Sequence, residues 1–224
     1  MTVDDLNKSI RLFNQNRKWI NELYSFRKRF PYKISAAEVA TLVRAGNLMP
    51  PDEHSVLLIQ ALSDAQERES HQRDKIRVVL EGAFCEQPPV DLLRALDDAG
   101  CSVVEDDLVL GRRWFEHDVP LNGDPVRALA ESYVRRSRYS SVRHDCNQNR
   151  TEALVQKVKQ SQAGAVIFCI AKFCEPAFFD YVLYKDALER EGIPHLLIEF
   201  EEKMWTFERA RTEVETFVES ILFD

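Results

Sequence analysis

From Lys75 onward, short β-branched runs alternate with amphipathic stretches, and this alternation constrains the fold of the 224-residue chain more than any other feature. The runs are Ile76-Arg77-Val78-Val79-Leu80, Cys101-Ser102-Val103-Val104, Ala165-Val166-Ile167-Phe168 and His195-Leu196-Leu197-Ile198. Each is short and rich in residues that suit a pleated surface. Between them the pattern predicts helices around Asp91 to Ala99, Pro125 to Ser137, Arg150 to Gln162 and Phe178 to Glu191. A closing helix carries Phe207, Ala210, Val214, Phe217, Val218 and Ile221 on one stripe. Strands separated by helices are joined by right-handed crossovers, which lay the strands parallel and the helices over both faces. The expected architecture is a three-layer α/β fold around a parallel four-stranded sheet. Asp98-Ala99-Gly100 and Glu191-Gly192-Ile193-Pro194 mark two helix-to-strand turns, where glycine accommodates a left-handed cap.

Residues 1–70 lack strand alternation. Leu6, Ile10, Phe13, Ile20 and Leu23 recur at helical spacing until Pro31 interrupts. A second helix is expected from Ser35, a natural N-cap, to Ala45, where Gly46 can stop it; a third follows Pro51 and carries Val56, Leu57, Ile59, Ala61 and Leu62. The division this implies is a helical segment over 1–73 and an α/β domain over 74–224. The least regular stretch, Glu105 to Asp124 with Gly111, Pro120 and Gly123, has a length that in compact α/β domains goes with function or mobility.

Composition excludes several classes of function. Apolar and charged fractions of 45% and 30% are those of a soluble globular chain, with no run long enough to cross a bilayer. The N-terminus lacks the apolar core and cleavage site of a secretory signal, so the chain reads as cytoplasmic, with no membrane role. Thirty basic against 37 acidic side chains, a net of −7, give no electrostatic footprint for nucleic acid. Five cysteines at irregular spacings do not form a disulfide framework; they are thiols, packed or ligating.

In an open parallel sheet, ligands bind beyond the carboxyl ends of the strands, where neighbouring crossovers leave in opposite directions. Cys85 follows the first strand in Gly82-Ala83-Phe84-Cys85-Glu86-Gln87-Pro88-Pro89, and Cys174 follows the third in Lys172-Phe173-Cys174-Glu175-Pro176. In the common 2-1-3-4 order these strands are neighbours, and both thiols would look into one crevice. Each cysteine precedes an acid and a proline near a helix start, and a helix N-terminus favours thiolate over thiol. Isolated cysteines are more often packing residues, which is the reading preferred for Cys101 and Cys169 inside strands; for Cys146 neither reading leads. Paired C-x-x-C hooks and local cluster motifs are absent, so any cluster bound here takes only part of its ligands from this chain. His144, Asp145 and His195 are left without an acid–base role. Arg135-Arg136-Ser137-Arg138-Tyr139, with Arg143 and His144, is either an attractor for coenzyme A phosphates or a solvated helix end. Glu105, Asp106 and Asp107 read as a solvated loop rather than a metal or catalytic site. Walker-type and G-x-G-x-x-G loops are absent, which speaks against ATP hydrolysis or dinucleotide binding by the usual routes.

Leu42-Val43-Arg44-Ala45-Gly46-Asn47-Leu48-Met49-Pro50, Phe84-Cys85-Glu86-Gln87-Pro88-Pro89, Asp106-Asp107-Leu108-Val109-Leu110-Gly111-Arg112-Arg113-Trp114, Lys172-Phe173-Cys174-Glu175-Pro176 and Phe200-Glu201-Glu202-Lys203-Met204 together resemble the 2-hydroxyacyl-CoA dehydratase and benzoyl-CoA reductase family over nearly the whole chain. The Phe-Cys-Glu-Pro turn followed by Phe179-Asp180-Tyr181 is the most specific part. The Phe-Glu-Glu-Lys-Met tail, with Val218-Glu219-Ser220-Ile221-Leu222-Phe223, leans toward the ATP-dependent benzoyl-CoA reductase branch. The resemblance implies a Rossmann/flavodoxin-like domain, preceded by the family's linking helices, from a subunit whose two such domains hold a [4Fe-4S] cluster between them, next to an acyl-CoA site. It implies partner subunits and an ATP-hydrolysing activator that delivers low-potential electrons. Electron transfer to the thioester gives a ketyl-type radical anion, leading either to reduction of the ring of benzoyl-CoA or to loss of hydroxyl from a 2-hydroxyacyl-CoA. By motif, Cys174 is the expected cluster ligand and Cys85 the second candidate.

Family subunits are longer, and their other ligating cysteines lie in an N-terminal domain without a counterpart here. The expectation is a fragment, a split-gene product or a degenerate copy that alone does not turn over substrate. The leading reading is a reductase subunit. Its rivals are a 2-hydroxyacyl-CoA dehydratase subunit and a non-catalytic Rossmann-like interaction protein that binds no cofactor.

Overall fold

A computed structural model describes residues 2–71, 74–82, 87–114, 117–136, 149–201, 204 and 206–223. In chain order these form α1 (Val3–Arg29), α2 (Ala36–Ala45), α3 (Pro51–Glu67), β1 (Ile76–Gly82), α4 (Val90–Asp98), β2 (Cys101–Asp106), a 3-10 turn (Arg112–Trp114), α5 (Pro125–Arg135), α6 (Arg150–Ser161), β3 (Ala165–Ala171), α7 (Glu175–Arg190), β4 (His195–Phe200) and α8 (Glu208–Phe223). All four strands are parallel, in the order β2-β1-β3-β4. This is the expected three-layer α/β fold. α4 packs with α8, and α6 with α7; right-handed crossovers put the first pair on one face of the sheet and the second on the other.

Local chemistry accounts for the helix starts. Thr2 and Asp5, then Ser35 and Glu38, form reciprocal capping boxes, each satisfying two N–H groups that the first turn leaves without a helical partner. Asp124 caps α5 ahead of Pro125, and the Asn149 carboxamide oxygen accepts from the first turn of α6. Gly100 (φ +95°) and Gly192 (φ +65°) take the left-handed conformation expected after α4 and α7. Gly46 does not: its φ is −64°. Glycine is needed there for space, because a Cβ would lie 2.6 Å from the His54 ring.

Every residue of β3 is buried, as befits a central strand covered on both faces. β2 is an edge strand and yet wholly buried, because α1 packs against it; β4, the other edge, stays half open. Between β1 and β2 the register slips by one residue after Val78, so that Glu105 and Asp106 stand opposite Val79 and Leu80. The main core runs through the sheet and takes in Ala36, Ala37 and Ala40 of α2. A second cluster joins α1, α2 and α3 through Ile20, Leu23, Val39, Val43, Leu58 and Leu62. α2 therefore faces both cores, its small residues toward the sheet and its branched ones toward the helices.

Candidate functional site

The order β2-β1-β3-β4 makes β1 and β3 the neighbours from which crossovers depart in opposite directions, so a crevice opens beyond their carboxyl ends. β1 ends at Gly82, which pairs with Cys169, two residues before the end of β3. Cys85 follows β1 but lies outside the described residues, as do Cys146, His144, Asp145 and the basic run from Ser137 to Arg143. Arg135 and Arg136 close α5 and are exposed.

Cys174 is the N-cap residue of α7, immediately beyond β3. Its carbonyl accepts from the Ala177 and Phe178 amides (3.0 and 3.3 Å), and its own N–H donates to the Ala171 carbonyl (3.0 Å). The side chain takes no part in this cap. The residue is 7% exposed and packs with the main core. Before it, Phe173 holds φ at +66° and projects its ring into solvent, 85% exposed, with the Lys172 ammonium 5.6 Å from the ring centroid. A non-glycine residue in the left-handed region is strained, and such residues concentrate at functional sites. Cys101 and Cys169 are buried within strands; burial pushes both thiols up to about 12, so they are packing residues that resist ionisation.

Three largely buried ion pairs stand at the mouth among the described residues. Lys157 of α6 donates to both oxygens of Glu81 on β1 (2.8 and 3.1 Å). Arg113 donates to Asp107 (2.8 Å) and to the carbonyl of Gly82 (3.2 Å), tying the exits of β1 and β2 together. Arg150 pairs with Asp180 on α7. Between them lies a hollow of about 20 Å³, close to the room one water needs, with Tyr184 on its wall. Burial, and then the carboxylates of Glu81, Asp107 and Asp180, raise the Tyr184 phenol and keep it protonated. Its ring stacks on Phe168 (5.9 Å), which Tyr181 meets edge-on (5.0 Å).

Glu105, Asp106 and Asp107 depart from the sequence expectation of a solvated loop. All three are buried, and each faces an arginine: Arg112 at 3.6 Å, Arg27 at 2.8 Å and Arg113 at 2.8 Å respectively. Asp106 also accepts from the Tyr24 hydroxyl (3.1 Å). The Tyr24 ring lies between Arg27 and Arg112, 4.5 and 5.0 Å from its centroid. Burial and the Asp106 charge raise the Tyr24 phenol well above its usual value; burial opposes the Arg27 charge, but Asp106, Tyr24 and Glu105 together more than restore it. Arg27 gives little local signal of this role, because its partner stands 79 residues away. His54 was equally unmarked in the sequence. Its Nε2 donates to the Leu42 carbonyl (2.8 Å) and its Nδ1 sits 3.0 Å from the Asn16 amide nitrogen, joining α1, α2 and α3. His195 faces the rings of Phe168 and Tyr181 at the start of β4, on the rim away from the mouth.

Among the described residues, no group of three or more His, Cys, Asp or Glu side chains is arranged to hold a metal ion, and no helix is long and apolar enough to cross a membrane. Among the described residues Cys174 is the cysteine at this rim.

Over residues 1–221 the chain matches the family described as 2-hydroxyglutaryl-CoA dehydratase, D-component. It is 32% identical to a subunit of the benzoyl-CoA reductase of Thauera aromatica, over 99% of its own length and 58% of that protein. It is 28% identical to the (R)-phenyllactyl-CoA dehydratase beta subunit of Clostridium sporogenes, again over 99% of itself and 58% of the relative. The beta subunit of (R)-2-hydroxyglutaryl-CoA dehydratase from Acidaminococcus fermentans is also 28% identical, over 99% of the chain and 59% of the relative. The chain thus spans somewhat more than half the length of the curated relatives it matches.

Proposed function

Since the chain belongs to the 2-hydroxyglutaryl-CoA dehydratase D-component family, we propose that it contributes cluster and acyl-CoA binding to an ATP-dependent [4Fe-4S] benzoyl-CoA reductase that dearomatises its substrate reductively. The observation that carries this reading is the position of Cys174, at the N-terminus of α7 beside the topological switch point of the sheet. The higher identity to the reductase relative than to the dehydratase relatives supports the choice of branch. When bound, the cluster would pass a low-potential electron to the acyl thioester. The chain's own part is positional: the main chain around Cys174 fixes where the sulfur starts, and Arg113 joins the exits of β1 and β2, from which the Cys85 segment departs. Cys85 is the second proposed ligand; the others come from a further domain or a partner chain, and the ATP-hydrolysing activator and the remaining subunits complete the assembly.

Two rival readings each have an observation in their favour. The dehydratase relatives favour a lyase subunit acting on a 2-hydroxyacyl-CoA. The burial of Cys174 favours a non-catalytic interaction protein. Anaerobic co-expression with candidate partner subunits and activator, followed by iron analysis, electron paramagnetic resonance and turnover of benzoyl-CoA against a 2-hydroxyacyl-CoA, separates the three. The expected result is a reduced-cluster signal and benzoyl-CoA turnover, with Cys174→Ala losing iron while the complex still assembles. Undiminished iron and an unaltered signal in that variant would remove Cys174 from the ligand set.

A further inference from the structure

The opposite rim of the sheet, where the strands begin, holds a cleft of about 510 Å³. The turn between α1 and α2, the link from α3 into β1 and the first residues of β1 and β2 form its walls. Its size suits a small molecule, but its lining is more polar than is usual for such sites. In a chain with a net charge of −7, cations outnumber carboxylates here.

Two of the cations are neutralised in place, Arg68 by Glu38 (2.7 Å) and Lys75 by Asp97 (2.8 Å). The other three rest on main-chain carbonyls. Lys33 donates to Gln66 (2.6 Å), Arg29 to Ser25 (3.3 Å), and Arg77 to Ser161, Lys28 and Gln162 (2.8, 3.0 and 3.1 Å). A carbonyl satisfies an N–H group without cancelling a full charge. With Glu69 as the remaining carboxylate on the walls, the cleft keeps a positive surplus that its low-dielectric sides focus.

Two hydroxyls open the same way. Ser102 is 8% exposed and stands opposite Arg77 in the β1–β2 register, so the two side chains leave one face of the sheet. The hydroxyl of Ser70, on the same walls, is buried and among the described residues meets no hydrogen-bond partner. Buried hydroxyls are ordinarily satisfied, because leaving one unmet forfeits its hydration. Capping of the carboxyl ends of α1 and α6 accounts for the bonds of Arg77, but it does not account for the unmet Ser70 hydroxyl on the wall of a cationic space.

We propose that this cleft binds a small phosphorylated anion, with Ser102 and Ser70 donating to phosphoryl oxygens while Lys33, Arg29 and Arg77 neutralise the charge. Phosphoryl oxygens accept several donors at once, and charge-assisted bonds from Arg and Lys are the stronger kind. The site lies at the rim opposite Cys174 and does not depend on the cluster reading. Isothermal titration of the full 224-residue chain with inorganic diphosphate, at low and high salt and with citrate as the carboxylate arm, tests it. Saturable diphosphate binding that weakens with salt is expected. Ser102→Ala should lower the affinity roughly tenfold with little change in Tm; Lys33→Glu should lower the affinity at least as far. Absence of saturable diphosphate binding, undiminished affinity in both variants, or tighter binding of citrate would overturn the assignment.

Discussion

The two rims of the sheet handle charge in opposite ways. At the carboxyl rim the buried carboxylates Glu81, Glu105, Asp106, Asp107 and Asp180 each meet a cation, and the pairs cancel locally. At the amino rim Lys33, Arg29 and Arg77 lean on main-chain oxygens, and their charge stays. The first arrangement fixes geometry: the pairs bind α1 and α6 to strand ends and α7 to α6 while adding little net field. The second provides field without added rigidity. Buried pairs are costly to desolvate and weak as a source of stability, but removing one member leaves a stranded charge. Their use at the carboxyl rim is therefore to hold the mouth in one shape.

This contrast can be broken at its strongest point first. Asp106→Ala leaves Arg27 buried without its carboxylate, since both side chains are at most 2% exposed, and urea denaturation should show a loss of about 3–5 kcal/mol. A loss below about 1 kcal/mol would mean that the pair behaves like a surface contact. Glu81→Gln keeps an acceptor for Lys157 but removes the charge, and the same measurement should give about 1.5–3 kcal/mol. At the amino rim Arg68→Ala removes a pair whose members are both more than 40% exposed, so its effect should stay under about 1 kcal/mol and vanish at high salt. If the last change cost as much as the second, the difference between the rims would be one of position and not of burial.

The layers of this fold were legible because each strand is a short branched run and several helix starts, those of α1, α2, α5 and α6, have a local cap chemistry. The ends were less so. β1, β2 and β3 run two or three residues beyond their branched runs, to Gly82, Asp106 and Ala171, because ladder pairing with a neighbour, and not side-chain type, decides where a strand stops. α7 begins at Glu175, three residues earlier than its apolar rhythm suggests, since Pro176 is admissible in a first turn. The charged network at the mouth was illegible for a different reason. Glu105-Asp106-Asp107 has the composition of a solvated turn, and only the three-dimensional arrival of Arg27 from α1 and of Lys157 and Arg150 from α6 reveals which acids are buried. Cys174 could be placed from the sequence because βα connections are short; its depth could not, because that depends on how α7 lies against β3.

The start of α7 is secured entirely by amide and carbonyl groups of the backbone at residue 174. That backbone arrangement does not require sulfur, so a hydroxyl of similar size keeps the cap, at the cost of a polar group packed against the main core. Cys174→Ser accordingly keeps the helix start while removing the sulfur, and whatever it abolishes in protein that stays folded belongs to the element itself and not to the shape of the protein.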